Sequence, residues 1–262
     1  MRSYMATDTD RSGSLTVWTF FNMFLRSFFI QGTFSLKYRQ NIGFAFCMEP
    51  AGKALWSSPE SLRAFTERHM EYYNGNPFMI TLVLGSVARL EELVKKGEMS
   101  ERDILGFKKA VGAATGSIGD RLFWGTLRPF GIITGLAAVM FHGFLGVILA
   151  LALFNIPNIA LRWYWLMRGY SLGTGVVEEI QNKNIQRAIV SVENVSAALV
   201  AFLTMLLISP GNAGSPWSAV GATVLFSISL LMYRKNKSVS MMLGATLGII
   251  IISGMVISFV FL

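Results

Sequence analysis

The sequence predicts an all-α, polytopic integral membrane protein with an N-terminal amphipathic helix, re-entrant helical hairpins and a C-terminal bundle of transmembrane helices. Three observations carry that expectation. Phe130–Leu161, Val195–Tyr233 and Ser238–Leu262 contain no Asp, Glu, Lys or Arg, and about 20 mostly apolar residues at about 1.5 Å rise cross roughly 30 Å of hydrocarbon. Charged residues make up 15% of the 262-residue chain and hydrophobic ones 53%, with a mean hydropathy of +0.50; a soluble domain carries about a quarter charged residues. The apolar runs do not alternate in polarity, as lipid-spanning barrel strands of roughly ten residues must.

Residues 1–14 are polar and read as a disordered tail. No small-residue cleavage site follows Thr16–Ile30, so the first segment is expected to stay in the mature protein. Residues 15–56 form an interfacial N-terminal segment. Within it, Leu15–Ile30 gathers Trp18, Phe20, Phe21, Phe24, Leu25, Phe28 and Phe29 around a single Arg26. This is short for a span and suits the headgroup plane, a buried core helix being the alternative. Lys37–Trp56, broken by Pro50 and Gly52, reads as a partly inserted segment that turns back.

Residues 57–130 form the re-entrant hairpin region. Pro77–Leu90 is too short to cross and too apolar for a surface loop, and such hairpins are tolerated where protein or a water-filled cavity satisfies their backbone. Glu91–Lys109 is densely charged; the spacing of Glu91 with Lys95 and of Glu92 with Lys96 predicts a solvated helix with weak ion pairs. Residues 131–262 form the transmembrane region. Arg234, Lys235 and Lys237 lie in one loop, while Ser209–Pro216 carries no charge. The positive-inside rule puts the basic loop in the cytoplasm and Leu262 on the outer side.

A net charge of +8 without an aromatic-interleaved basic stripe points to membrane-surface loops and excludes nucleic acid as a partner. The single cysteine, Cys47, has no internal disulfide partner and reads as a packing residue. With only His69 and His142, and no nucleophile, metal or phosphate-loop motif, the chain is not expected to be catalytic by itself or to hold a cofactor or metal.

Polar groups beside Gly and Pro remain as candidate site residues. Asn74 and Asn76, in Tyr72-Tyr73-Asn74-Gly75-Asn76-Pro77, offer the donors and acceptors that sugar hydroxyls need, a plain Asn-rich turn being the alternative. Twelve of the fifteen acidic residues lie at or before Asp120, which gives the two halves different jobs. The block from Gly116 to Pro129 sets Asp120, Arg121 and Arg128 directly before the long apolar run. An ionised Asp at mid-bilayer costs about 2.5–3.5 kcal/mol on insertion scales. Asp120 is therefore expected to face a companion subunit or polar passage, or to pair with Arg121 or Arg128. Phe123 and Trp124 could stack on a sugar face or anchor the interface.

The run Arg68-His69-Met70-Glu71-Tyr72-Tyr73-Asn74-Gly75-Asn76-Pro77, then Glu91-Glu92, Gly119-Asp120, Phe123-Trp124-Gly125-Thr126-Leu127-Arg128-Pro129 and Gly169-Tyr170-Ser171, resembles the IID component of the mannose/fructose/sorbose family of the bacterial phosphotransferase system. Arg26-Ser27, Gln31-Gly32 and Gly43-Phe44 fit as well. The resemblance implies a subunit of the bacterial inner membrane that pairs with a IIC membrane subunit, as a trimer of IIC–IID heterodimers working by an elevator movement. It also implies cytoplasmic IIA and IIB proteins that pass phosphate from phosphoenolpyruvate to the incoming hexose, with no phosphorylated residue on IID. Asn74, Asn76 and Asp120 are then the expected sugar-facing or gate-lining groups, with Gly119, Trp124, Thr126, Arg128 and Pro129 positioning the hairpin.

The chain also departs from the family. Gly75 stands where a Thr is usual, Ala113-Ala114-Thr115-Gly116-Ser117 replaces a Gly-Pro-Leu-Ala-Gly stretch, and Ser35-Leu36-Lys37-Tyr38 replaces an Asn-Tyr-Glu-Arg pattern. These changes motivate a second reading, a scaffold or regulatory homologue that no longer handles sugar. A stand-alone carrier is a third.

Overall fold

The computed structural model describes residues 14–181 and 183–208. The polar tail before Ser14, most of the second apolar run, the third run, both loops used for orientation and the C-terminus lie outside the described residues. Among those described, regular structure is entirely helical, apart from isolated β-bridges of Arg39 with Ser35 and Tyr73. The chain divides into two compact units, residues 1–119 with 158–182 and residues 120–157 with 183–262.

The first unit begins with α1, Val17–Ser27, started by a capping box between Thr16 and Thr19. Helix α1 buries Phe20 and Met23 and leaves Val17, Trp18 and Leu25 exposed. Helix α2, Asn41–Leu55, carries Pro50 inside it. Gly43 sits so tightly against Ile30 that a Cβ would collide with the Ile30 carbonyl. Helix α3, Pro59–His69, is capped by Ser58 and started by its proline.

Helix α4, Ile80–Lys95, is the centre of this unit, with every residue from Ile80 to Ala88 buried. It ends at Gly97, whose φ of 75° suits a residue without Cβ. Helix α5, Glu101–Gly119, then begins. The charged stretch after Leu90 is thus two helix ends and a turn, and Glu91 is buried rather than solvated. Spacing along one helix reveals only that helix's own neighbours; α3 supplies the others.

Helix α7, Phe144–Leu172, gives this unit its residues from 158 onward. A turn of 3₁₀-helix, Gly173–Gly175, and α8, Val176–Ile180, follow. Gly85 of α4 and Gly169 of α7 bring the two backbones into contact, since a Cβ on either would collide with the carbonyl of Leu166 or Leu82. Ser86 Oγ lies 2.9 Å from the Leu82 carbonyl oxygen and 3.2 Å from that of Gly169, and donates there.

The second unit starts with a π-helical segment, Asp120–Leu127, and α6, Arg128–His142. Gly143, at φ 54°, makes the turn into α7. Gly135, Gly146 and Ala150 allow the two helices to touch. Ile133 packs with Val200 and Leu203 of α9, Lys183–Ile208.

Among the described residues, two helical stretches, Glu101–His142 and Phe144–Ile180, are long and apolar enough to cross a bilayer. Only 11% of the most apolar window in the second is buried. A soluble core helix hides that surface; here Phe144, Leu145, Leu151 and Ile156 are exposed.

Candidate functional site

The sequence-predicted residues fall in both units. Asn74, Asn76 and Gly119 belong to the first; Asp120, Trp124, Thr126, Arg128 and Pro129 belong to the second.

In the first unit, the Asn74–Pro77 turn links α3 to α4. Asn74 is exposed and Asn76 buried. Asn76 Oδ1 accepts from the amides of Phe78 at 2.9 Å and Met79 at 3.3 Å, so this side chain closes the turn that leads into α4. Gly119 packs on it: a Cβ there would lie 2.5 Å from Asn76 Cβ. The Gly75 amide donates to Gln40 Oε1 at 3.1 Å. A side chain at Gly75 would meet Tyr73 Oη at 2.6 Å, so the turn is packed for glycine.

In the second unit, Asp120 is exposed at the first position of the π-helical segment. Thr126 donates its hydroxyl to the Arg121 carbonyl at 2.9 Å, five residues back, and lies 3.2 Å from Glu193 Oε1. Arg121 grips Glu193 of α9 in a two-pronged pair, with Nε to Oε1 at 3.2 Å and Nη2 to Oε2 at 3.0 Å, and reaches Gln186 Oε1 at 3.1 Å. Arg128 is exposed, its guanidinium 5.2 Å from the centre of the Trp124 ring. Pro129 is buried at the second position of α6, directly after the π-helical segment. Phe123 is buried and meets Phe154 edge-on, so of the two aromatics only Trp124 is open to a ligand or the interface.

A third assembly lies where α3, α4 and α5 meet. Arg68 Nε and Nη2 donate to the two carboxylate oxygens of Glu91 at 2.9 and 2.8 Å, and Arg68 Nη1 reaches Glu101 at 2.9 Å. His69 Nε2 is 3.0 Å from Glu91 Oε1 but poorly aligned for a hydrogen bond, and neither ring nitrogen has a partner among the described residues. Burial holds His69 down at about 4, with its neighbouring cations adding to the effect, so the ring is neutral at pH 7. Burial alone would raise Glu91; the two-pronged Arg68 guanidinium outweighs it and holds this carboxyl below the usual range. Lys108 of α5 lies 3.4 and 3.3 Å from the carbonyls of Arg68 and His69 and 4.5 Å from the centre of the Phe44 ring.

Residues 14–210, spanning all three assemblies, match the family described as the PTS system mannose/fructose/sorbose family IID component. The chain belongs to this family. It is 33% identical over 183 residues to the mannose-specific EIID component of Escherichia coli K12, covering 69% of this chain and 65% of that protein. The fructose permease IID component of Bacillus subtilis is 25% identical over 219 residues, covering 83% of this chain and 76% of that one. The sorbose-specific EIID component of Klebsiella pneumoniae is 30% identical over 167 residues, covering 63% and 61%. The chain thus spans under two thirds of the E. coli and Klebsiella relatives' length. A solved structure titled as a membrane protein superposes with a TM-score of 0.66 at 31% identity, covering 73% of this chain and 71% of that one. A chain of the mannose transporter ManYZ, in complex with microcin E492, gives 0.59 at 25% identity and covers 93% and 97%.

Several organising residues of this IID chain escaped sequence reasoning. Glu193 was visible only as one of three late acids. Arg162, which interrupts an apolar helix, is buried, as is Lys108; the membrane cost of such charges was the available signal. Cys47 is buried, its thiol pushed up to about 12 by desolvation, which makes it an inert packing residue.

Proposed function

We propose that this IID chain, together with a IIC membrane subunit, forms the hexose-translocating unit of a mannose-type phosphotransferase system in a bacterial inner membrane. Cytoplasmic IIA and IIB proteins carry phosphate from phosphoenolpyruvate to the sugar, and the IID chain contributes no phosphorylated group. Three IIC–IID pairs form the working assembly, and the chain ends on the outer face.

One observation supports this reading above others: a helical stretch long enough to cross a bilayer opens into a π-helix at the block that carries Asp120. Non-helical or widened backbone at membrane depth is tolerated only where protein or a watery cavity receives it. An exposed carboxylate beside such a break has the chemistry to accept hydroxyl hydrogen bonds from a sugar. Exposed Asn74 offers the same kind of group in the other unit.

The test is phosphoenolpyruvate-dependent uptake and phosphorylation of mannose, fructose and sorbose by membranes containing this chain with its IIC, IIA and IIB partners. Uptake that falls in Asp120→Asn and Asn74→Ala supports the reading. No uptake of any of the three sugars by the unaltered chain favours the scaffold reading, whose structural motive is the turn repacked around Gly75.

A further inference from the structure

Arg162 lies on the long apolar helix α7, and its side chain is buried in the first unit. A charge in such a place is costly unless its hydrogen bonds are met. Four oxygens meet them. Asn158 Oδ1, one turn earlier on α7, accepts from Nε at 3.2 Å and so aims the planar head. Nη1 donates to both the carbonyl and the hydroxyl of Ser27, at 2.9 and 3.0 Å. Nη2 donates to the Pro77 carbonyl at 2.7 Å, the shortest of the set. The rings of Phe28 and Phe78 take up the charge further, with centres 4.7 and 5.5 Å from the guanidinium carbon.

All four acceptors are neutral, so the arrangement is not an ion pair that fixes two charges to each other. A charged fork has been set among carbonyls and hydroxyls on three separate segments: the end of α1, the turn before α4, and α7. Elsewhere the Asn74–Pro77 turn is held by the Gln40 contact to Gly75 and by the Asn76 side chain on the Phe78 and Met79 amides, and it packs on α5 at Gly112 and Gly119. Arg162 adds the link to α7.

We propose that Arg162 is the positioning residue of the Asn74–Pro77 turn, registering that turn against α7 through the Pro77 carbonyl. The turn's sugar-facing role rests on the function proposed above; the registration does not. Only a guanidinium presents donors in three fixed directions. A lysine keeps the charge, yet its single ammonium cannot hold Ser27, Pro77 and Asn158 at once.

Amide hydrogen exchange on the detergent-purified full chain, compared between the wild type, Arg162→Lys and Arg162→Met, tests this. Gly75, Phe78 and Met79 are expected to lose protection roughly ten- to hundredfold in both variants, the factor for losing one to two charge-assisted bonds. Amides of α3 beside the Arg68–Glu91 pair are expected to keep theirs. Unchanged protection at the turn overturns the proposal, and so does an equal loss along the whole unit in both variants, which marks a merely structural staple. In membranes with the partner subunits, Arg162→Lys is expected to raise the KM for mannose uptake more than it lowers the maximal rate; the reverse split overturns the positioning role. If the wild type takes up no mannose, fructose or sorbose, the proposed function fails while exchange at the turn still decides the role of Arg162.

Discussion

Arg68 and Glu91 meet in a two-pronged ion pair with both side chains almost wholly out of solvent, joining the end of α3 to the end of α4. Their positions are 23 residues apart, and each lies beside a charged neighbour that looks like its natural partner on the helix surface. Burying two charges costs several kcal/mol per ion unless geometry and further hydrogen bonds offset it. Here the guanidinium also reaches Glu101.

Removing one partner is therefore expected to hurt more than the pair itself helps. Glu91→Gln should destabilise the detergent-solubilised protein by about 3 kcal/mol, the low end for a broken buried pair because Glu101 still holds one arm of Arg68. Thermal unfolding at pH 7 measures it. A shift within the error of wild type would show that the pair is not coupled to folding.

His69 gives a pH dependence with a defined sign. Its pKa falls from 6.5 unfolded to about 4 in the buried site. Between those values the unfolded chain takes up a proton that the folded chain refuses, so stability is full above about 6.5 and drains as the pH falls toward 4, by up to about 3 kcal/mol. Glu91, also held low, adds a loss in the same direction at the acid end. Melting curves from pH 4.5 to 7.5 should show the slope, and His69→Gln should flatten it above pH 5.

The α4–α7 crossing has no room for a methyl group. Gly169→Ala and Gly85→Ala each place a Cβ against a backbone carbonyl, which cannot move aside as a flexible side chain would. Each is expected to cost about 1–3 kcal/mol or more and to lower the yield of folded protein. Gly106→Ala, where a Cβ meets nothing within 4 Å in an exposed part of α5, is the control and should stabilise by about 0.5–1 kcal/mol.

The Arg121–Glu193 pair should hold the π-helical segment to α9 only modestly, because Arg121 is 39% exposed and solvent screens it. A double-mutant cycle with Arg121→Gln and Glu193→Gln is expected to give a coupling of roughly 1 kcal/mol or less. Thr126→Val, which removes a buried hydroxyl bonded to the Arg121 carbonyl and to the Glu193 carboxylate, should cost about 1–3 kcal/mol. A Thr126 effect smaller than the ion-pair coupling would show that the segment relies on its outer clamp.

Much of the fold was legible along the chain because membrane helices announce themselves by composition. The long uncharged run from Phe130 fixed the apolar character of α6 and the first part of α7, and the family block placed Asp120 through Pro129 at the entry to it. The π-helix was not legible. No residue type encodes it, and it rests on Thr126 reaching back five residues and on Glu193 standing 72 residues from Arg121. Asn76 shows the other limit: sequence neighbours do not reveal that its amide oxygen also closes the turn into α4.

The sequence by itself determined that the described residues are helical, that the run from Phe130 is apolar, and which family the chain resembles, because these follow from local composition and from motifs of adjacent residues. Tertiary structure alone decided which charge meets which. Glu91 pairs with Arg68 rather than sharing a solvated face with its lysines, and Arg162 ends on Ser27, 135 residues away, and on Pro77, 85 away. Buried charges are settled by whichever oxygens folding brings within about 3 Å, and spacing along one helix carries no record of those.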